Sequence, residues 1–394
     1  MKLFNTLTQS LEEFTPIDNT VRVYVCGITP YDTTHLGHAF LYVSFDALMR
    51  YLRSRGYAVK YVQNVTDIDD DVLRKARELG MAWDELGRRE TERFLKDMDA
   101  LNVFRPDVYA KATEQMPTII EIVQTLIQRG FAYESSGCVF FSVKKDPEFG
   151  QMAQAIGLHD YDAMLKIANE RGNFPDDPRK QDPLDFVLWQ AQAPGEPAWE
   201  SPWGPGRPGW HIECSAMAMR YLGPQIDIHG GGGDLAFPHH TCEIAQSEHF
   251  TGKAPFSRFW VHAGMVHQDG EKMSKSLGNL TLVSNLLKDY SADAIRVTLL
   301  SHHYRYPWEC FPADLEFSSK LVNLFQQVRE LVGPQANGED HLLSGQFEAA
   351  MENDLNTPEA LLLLKEAAET VVVNHDLNTG AELLRLAGVL GLRV

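Results

Sequence analysis

An α/β fold with a parallel sheet is the first expectation, and two stretches of the chain carry it. Val21 to Cys26 (VRVYVC) alternates around β-branched and aromatic residues and reads as a strand. A turn with Gly27 and Pro30 leads into a helical pattern from about Leu36 to Gly56, and then into a second strand, Ala58 to Val65 (AVKYVQNV). Strand, helix and strand of these lengths make a βαβ unit, which implies a parallel sheet whose ligand site lies at the carboxyl ends of its strands.

The remaining elements follow in order. Residues from about 75 to 130 read as helical and complete the first half of a catalytic domain over 1–130. Over 131–205 the texture changes, with a short strand at Cys138 to Val143 and many Pro and Gly residues around Phe174 to Pro208, which marks an insertion. The α/β pattern resumes over 206–313, with a strand at Phe259 to His262. Residues 314–394 read as a helical bundle. Phe317, Leu321, Leu324, Phe325, Val328 and Leu331 share one helix face. Thr357-Pro358 starts a helix from Glu359 to Val373, and Leu383, Leu384, Leu386, Val389 and Leu390 mark another.

Composition bounds the function. A chain of 394 residues with 44% hydrophobic and 23% charged residues is ordinary globular material, not a disordered chain or a rod. No apolar run approaches the ~20 residues of a membrane span, and Met1 to Asn5 lacks a signal-peptide core, so a cytoplasmic location without membrane partners is expected. The five cysteines, at 26, 138, 214, 242 and 310, are scattered and odd in number, which favours a metal site or reactive thiols over a disulfide framework. A formal charge of -18 favours small-molecule substrates and gives no reason to expect DNA as a partner.

Three local features carry chemistry. His35-Leu36-Gly37-His38 stands where a helix begins after the first strand; read alone, one histidine caps the helix and the other is exposed. Lys272-Met273-Ser274-Lys275-Ser276 would alone be a polar surface loop. Cys26, Cys214, His239 and Glu243 form a plausible zinc set of two thiolates, an imidazole and a carboxylate. Each also has an ordinary reading: a strand end, a small core residue, and a surface pair at i and i+4. Glycines 230 to 233 before Asp234 allow a ligand close to the backbone.

Taken together, the HLGH and KMSKS stretches match the paired signatures of the class I aminoacyl-tRNA synthetase fold. The match extends further. CGITPYDTTHLGHA (Cys26 to Ala39), YVQNVTDIDD (Tyr61 to Asp70), GRPGWHIECSA (Gly206 to Ala216), GGGGDLAFPHH (Gly230 to His240) and EKMSKSLGN (Glu271 to Asn279) resemble the cysteinyl-tRNA synthetase family across essentially the whole chain. The resemblance implies a Rossmann-like catalytic domain with an insertion, a terminal helical bundle, and activation of cysteine by ATP and Mg2+. His35, His38, Lys272 and Lys275 would then act on the phosphates, because attack on the α-phosphate builds charge that fixed donors at a helix N-terminus and mobile ammonium groups stabilise. It also implies one Zn2+ per chain, held by Cys26, Cys214, His239 and Glu243. A zinc with an open position takes a substrate thiolate and discriminates against serine, whose hydroxyl is harder to deprotonate.

Within the family the chain looks most like the mycothiol-pathway branch, whose members join cysteine to the amine of glucosaminyl-inositol. The residues that carry this are Ile28-Thr29-Pro30-Tyr31, Ala193 to Cys214, Val261 to Met265 and His303 to Arg305. By motif position, cysteinyl-adenylate would touch Cys26, Gly27, Ile28, Thr29, Asn64, Val65, Thr66, Trp210, Gly232, Gly233, Asp234 and Val266. Residues 277–394 suffice for the bundle but leave no room for a further anticodon-binding domain. From Pro334 onward three basic residues face ten acidic ones, a balance that repels phosphate backbone. Three departures leave tRNA as an alternative acceptor. Leu41 stands where the branch has threonine, Glu170 to Pro175 reads ERGNFP where the branch has an ERGGDP-type segment, and Glu243 is a synthetase-like feature.

Overall fold

The structure, a computed structural model, describes residues 1–32, 34–268, 270–273, 280–333 and 340–394. A hairpin of β1 (Lys2–Asn5) and β2 (Ser10–Glu13) precedes β3 (Thr20–Ile28), which becomes the central strand of a five-stranded sheet. Val21, Val23, Tyr24 and Val25 are buried, as expected of a parallel strand covered on both faces. α1 (Leu36–Ser54) returns the chain to β4 (Ala58–Val65), which pairs in parallel with β3 from Thr20↔Ala58 to Ile28↔Val65. α2 (Asp70–Leu79) and α3 (Trp83–Ala100) lead to β5 (Val108–Lys111), parallel to β4. This fifth strand lies inside the stretch read as helical; its four residues are too few to impose a period of two.

The inserted segment carries α4 (Met116–Gln128), β6 (Ala132–Ser135), β7 (Cys138–Phe141), α5 (Gln151–Ala155), α6 (Tyr161–Glu170), β8 (Phe186–Ala191) and β9 (Gly206–Pro208). Its four strands form an antiparallel sheet in sequence order around Val139, Phe141, Leu188 and Trp189. The main sheet then resumes through α7 (Trp210–Leu222), β10 (Ile226–Gly232), α8 (Thr241–Thr251) and β11 (Ser257–Ala263). β10 lies between β3 and β11, with Ile228 opposite both Val23 and Phe259. All pairings in the five-stranded sheet are parallel, so Cys26 to Ile28, Val65, Gly232 and Ala263 end on one edge.

Next come β12 (Val266–Gln268), β13 (Glu271–Lys272), α9 (Val283–Asp289), α10 (Ala292–Leu300) and β14 (Trp308–Glu309). The terminal helices are α11 (Pro312–Val332), α12 (His341–Glu352), α13 (Thr357–Asn374) and α14 (Leu377–Val389). In α11 the buried stripe is Leu315, Ser318, Leu321, Val322, Phe325 and Val328; Phe317 is exposed, one step round the helix from Ser318. Helix α12, with Ser344 and Gly345 early in its run, has a weak helical signal and adds one helix to the three read from sequence. Arg296 of α10 is buried against Asp46 of α1 and donates to the carbonyls of Leu390 and Leu101, tying the end of the bundle to α1. Among the described residues no helix is long and apolar enough to cross a membrane.

Candidate active site and metal centre

A cavity of about 1390 Å³ opens at the carboxyl edge of the sheet. Of the residues expected at a site, Cys26, Gly27, Ile28, Thr29, His35, His38, Trp210, Gly232, Asp234 and Val266 line it. Asn64, Val65, Thr66 and Gly233 are not part of the lining. Asn64 works from behind: its Oδ1 accepts the Gly27 N–H at 2.7 Å and its Nδ2 donates to Thr66 Oγ1 at 3.2 Å. A Cβ on Gly27 would fall 1.6 Å from the Asn64 carbonyl oxygen, so only glycine lets β3 run this close to β4.

His35 is the N-cap of α1 and its ring stacks on that of His38 with centroids 3.8 Å apart. Both imidazoles therefore stand at the positive end of a 19-residue helix, where anionic groups bind favourably. Met273, just after β13, is buried and also lines the cavity. β13 pairs antiparallel with β12, setting the backbone of Lys272 opposite His267. Lys275 falls in 274–279, outside the described residues.

Deeper in, the donor atoms of Cys26, His239, His240 and Glu243 all lie within 4.8 Å of one another. The turn 236–240, a single π-type turn before α8, delivers both histidines. Cys214, on α7, is buried and close enough to Cys26 and His239 to interact with both electrostatically. Three of the four residues expected from sequence, Cys26, His239 and Glu243, thus have their donor atoms together, and His240 rather than Cys214 completes that group, its Nε2 3.3 Å from Cys26 Sγ. Glu243 Oε2 lies 2.9 Å from His229 Nε2, 3.5 Å from His239 Nε2 and 3.8 Å from His240 Nε2. His240 Nδ1 meets His262 Nε2 at 2.7 Å, and His262 Nδ1 meets Thr6 Oγ1 at 2.8 Å. Trp210 stacks on His239 with centroids 4.3 Å apart. His229, His240 and His262 were not singled out from sequence; the adjacent pair after Pro238 was the available signal.

The electrostatics of this centre favour a cation. Burial, then the hydrogen bond and charge of Cys214, push the Cys26 thiol well above its ordinary value. Burial also acts upward on Cys214, but the Cys26 hydrogen bond and the charge of His239 outweigh it and hold this thiol well below the usual range. Burial holds His211, His229 and His240 low and, with the charge of Cys214, pushes Glu243 up. Glu243 Oε1 has no hydrogen-bond partner among the described residues. Buried thiols, imidazoles and a carboxylate oxygen converging on one point are a donor set that fits zinc.

The charged lining of the cavity is acidic in balance. Asp69, Asp70, Asp71, Glu170, Asp176, Asp177, Glu213 and Asp234 face it, against Arg171, Arg179, Lys180 and Arg207. Leu41 and residues 170–175, the departures noted above, are also in its wall. Arg171 Nη1 sits 3.1 Å from Asp234 Oδ2 and so links the inserted segment to the end of β10.

Residues 13–320 match the family model described as the tRNA synthetases class I (C) catalytic domain, and residues 346–394 match the DALR domain. The chain is 46% identical over 386 residues to the cysteine--tRNA ligase of Thermodesulfovibrio yellowstonii, covering 93% of this chain and 77% of that protein. It is 44% identical over 399 residues to the L-cysteine:1D-myo-inositol 2-amino-2-deoxy-alpha-D-glucopyranoside ligase of Kribbella flavida, covering 100% and 96% respectively. Among solved structures, Mycobacterium tuberculosis methionyl-tRNA synthetase in complex with methionyl-adenylate superposes with a TM-score of 0.66 at 17% identity, over 94% of this chain and 89% of that one, a likeness of fold.

Proposed function

The chain belongs to the class I cysteinyl-tRNA synthetase family and is an ATP-dependent cysteine ligase, and from this premise we propose that it forms cysteinyl-adenylate and passes the cysteinyl group to the amine of a small amino-sugar. In the first step a carboxylate oxygen of cysteine attacks the α-phosphate of ATP, which enters with Mg2+, and pyrophosphate leaves. His35 and His38 donate to the phosphate oxygens from the α1 N-terminus, and Lys272 and Lys275 neutralise the departing pyrophosphate. In the second step the acceptor nitrogen attacks the cysteinyl carbonyl, AMP leaves, and the amine gives up a proton.

Zinc would be held by Cys26, Cys214, His239 and Glu243, with His240 beside them, and when bound it supplies a Lewis-acid seat for the substrate thiolate. Trp210 covers this centre by its stacking on His239. Gly27, Ile28, Thr29, Gly232, Gly233, Asp234 and Val266 would cradle the adenylate, with Asn64, Val65 and Thr66 setting the backbone behind it.

The observation that carries the amino-sugar reading is the excess of carboxylates in the cavity lining, which attracts a cationic amine and repels a polyphosphate chain. The acidic excess from residue 334 onward acts in the same sense. A second reading, tRNA as acceptor, is favoured by the DALR match over 346–394 and by the 46% identity to a cysteine--tRNA ligase. Incubating the protein with ATP, cysteine and either glucosaminyl-inositol or tRNA decides between them. Mass spectrometry should find cysteinylated glucosaminyl-inositol; charged tRNA with no turnover of the amino-sugar selects the second reading.

A further inference from the structure

Glu213 is a buried carboxylate of the cavity lining to which neither step of the scheme above gives a specific contact. It is 1% exposed, stands one residue before Cys214 near the start of α7, and lines the cavity. Its Oε2 has no hydrogen-bond partner among the described residues. Its charged neighbours, Cys214, Asp69 and Asp67, are all of its own sign. Arg207, which also faces this cavity, is taken up elsewhere, with Nη2 on Asp70 and Nε 3.5 Å from Glu196.

Three buried carboxylates elsewhere in the chain are treated differently. Asp46 carries Arg296 and Arg50, Glu90 carries Arg89 and Arg93, and Glu382 carries Arg385. A carboxylate oxygen removed from water and left without a donor is costly, and the fold satisfies it in those cases with an arginine. Glu213 carries no arginine and lines the cavity instead, so its donor is expected to arrive with a ligand.

We propose that Glu213 is a binding residue for a primary ammonium group in the cavity. An ammonium offers three N–H donors and a positive charge in the space of one atom, which matches a single open carboxylate oxygen ringed by like charges. The inference deepens the cysteine-ligase reading and rests on it. That reaction brings two primary amines to the site: the α-ammonium of cysteine and the protonated amine of the acceptor. The chemistry that Glu213 recognises is common to both.

The test is Glu213→Gln in the full chain, a change that keeps side-chain shape and removes the charge. ATP–pyrophosphate exchange is measured with cysteine and with mercaptopropionate, which is cysteine without its amine, and AMP release is followed against glucosaminyl-inositol concentration. If Glu213 holds the α-ammonium, kcat/KM for cysteine falls ~10- to 100-fold, mainly through KM, on the scale of one charged hydrogen bond, while exchange with mercaptopropionate is unchanged. If it holds the acceptor, exchange is unaltered with both thiols and the KM for glucosaminyl-inositol rises by the same factor. Equal loss with both thiols, or no change in any of the three, overturns the proposal. Wild-type protein that exchanges no pyrophosphate with cysteine would instead sink the ligase reading on which the proposal stands, so the two failures are distinct.

Discussion

His35 and Leu282 form an isolated antiparallel bridge, flanked by hydrogen bonds from Leu36 N to Thr281 O at 2.8 Å and from Val283 N to Thr34 O at 3.2 Å. The chain emerging from the KMSKS stretch is thereby fastened to the cap of the helix that carries both histidines. On the other flank, Met273 N bonds to Val266 O at 3.3 Å, beside the cavity. Both ends of the lysine segment are thus tied to the proposed phosphate site. Lys272→Ala and Lys275→Ala should each lower cysteine-dependent ATP–pyrophosphate exchange by ~10²-fold or more, with little change in cysteine KM. Wild-type exchange in both variants would remove the segment from the mechanism.

Cys214→Ser should reduce bound zinc from about one per chain to a small fraction, measured by elemental analysis after gel filtration, because a serine hydroxyl is a poor ligand beside a thiolate. Exchange with cysteine should drop with it. Glu243→Gln should lose less metal, since Cys26, Cys214 and two histidines remain. Full zinc content in the Cys214 variant would contradict the assigned ligand set.

Arg296 lies fully buried against Asp46, and Asp46 keeps Arg50 at 2.7 Å as a second partner. Arg296→Ala should therefore destabilise the chain by about 3 kcal/mol in urea unfolding, the lower end for breaking a buried pair. Combining it with Asp46→Ala should cost less than the sum of the two single changes, because the orphaned carboxylate is gone. Strict additivity would show that the two groups do not act as a pair.

Asp69 caps α2 by accepting the Asp71 N–H, and burial pushes its carboxyl up to about 6. A folded-state value above the unfolded one means that the folded protein holds a proton which the unfolded chain releases. The associated stability is complete below the ordinary aspartate value of ~4 and is lost as pH rises through about 6. Asp69→Asn retains a capping side chain of equal strength and does not titrate. Between about pH 4 and pH 7 the melting temperature of the wild type should fall relative to that of this variant. Parallel curves would refute the assignment.

Transfer of cysteine to a small amine should change modestly between ~50 and ~200 mM salt, whereas binding through six to ten phosphates would weaken by ~10³-fold or more over that range. A steep salt dependence of cysteine-dependent AMP release would favour the tRNA reading.

Strands β3 and β4 and helix α1 were legible because their apolar residues are long, regular runs set off by Gly27, Pro30 and Gly56. Strand β5 was not, since Val108–Lys111 shows only one buried side chain, Ala110. The meeting of Cys26 with His239 and Glu243 was expected from motif resemblance rather than spacing, because the fold brings together segments about two hundred residues apart. His240, His229 and His262 escaped for the same reason. Histidines on a strand or after a turn carry no periodic signal, and their contacts exist only once β10 lies between β3 and β11. Phe317 misled because its spacing from Leu321 and Phe325 fits the buried face of α11, yet it stands exposed one turn before them.

The position of β3 between β4 and β10 also bears on how the chain is made. One edge of β3 finds its partner locally, but the other waits for Ile226–Gly232, synthesised after the whole inserted segment. At ~5–20 residues per second the wait between β3 and β10 is roughly 10–40 s. Throughout it, a strand with Val21, Val23 and Val25 presents unpaired backbone to any neighbouring nascent chain. Ribosome-bound or truncated chains ending between the inserted segment and β10 should therefore bind holdase chaperones and, without them, associate through this edge.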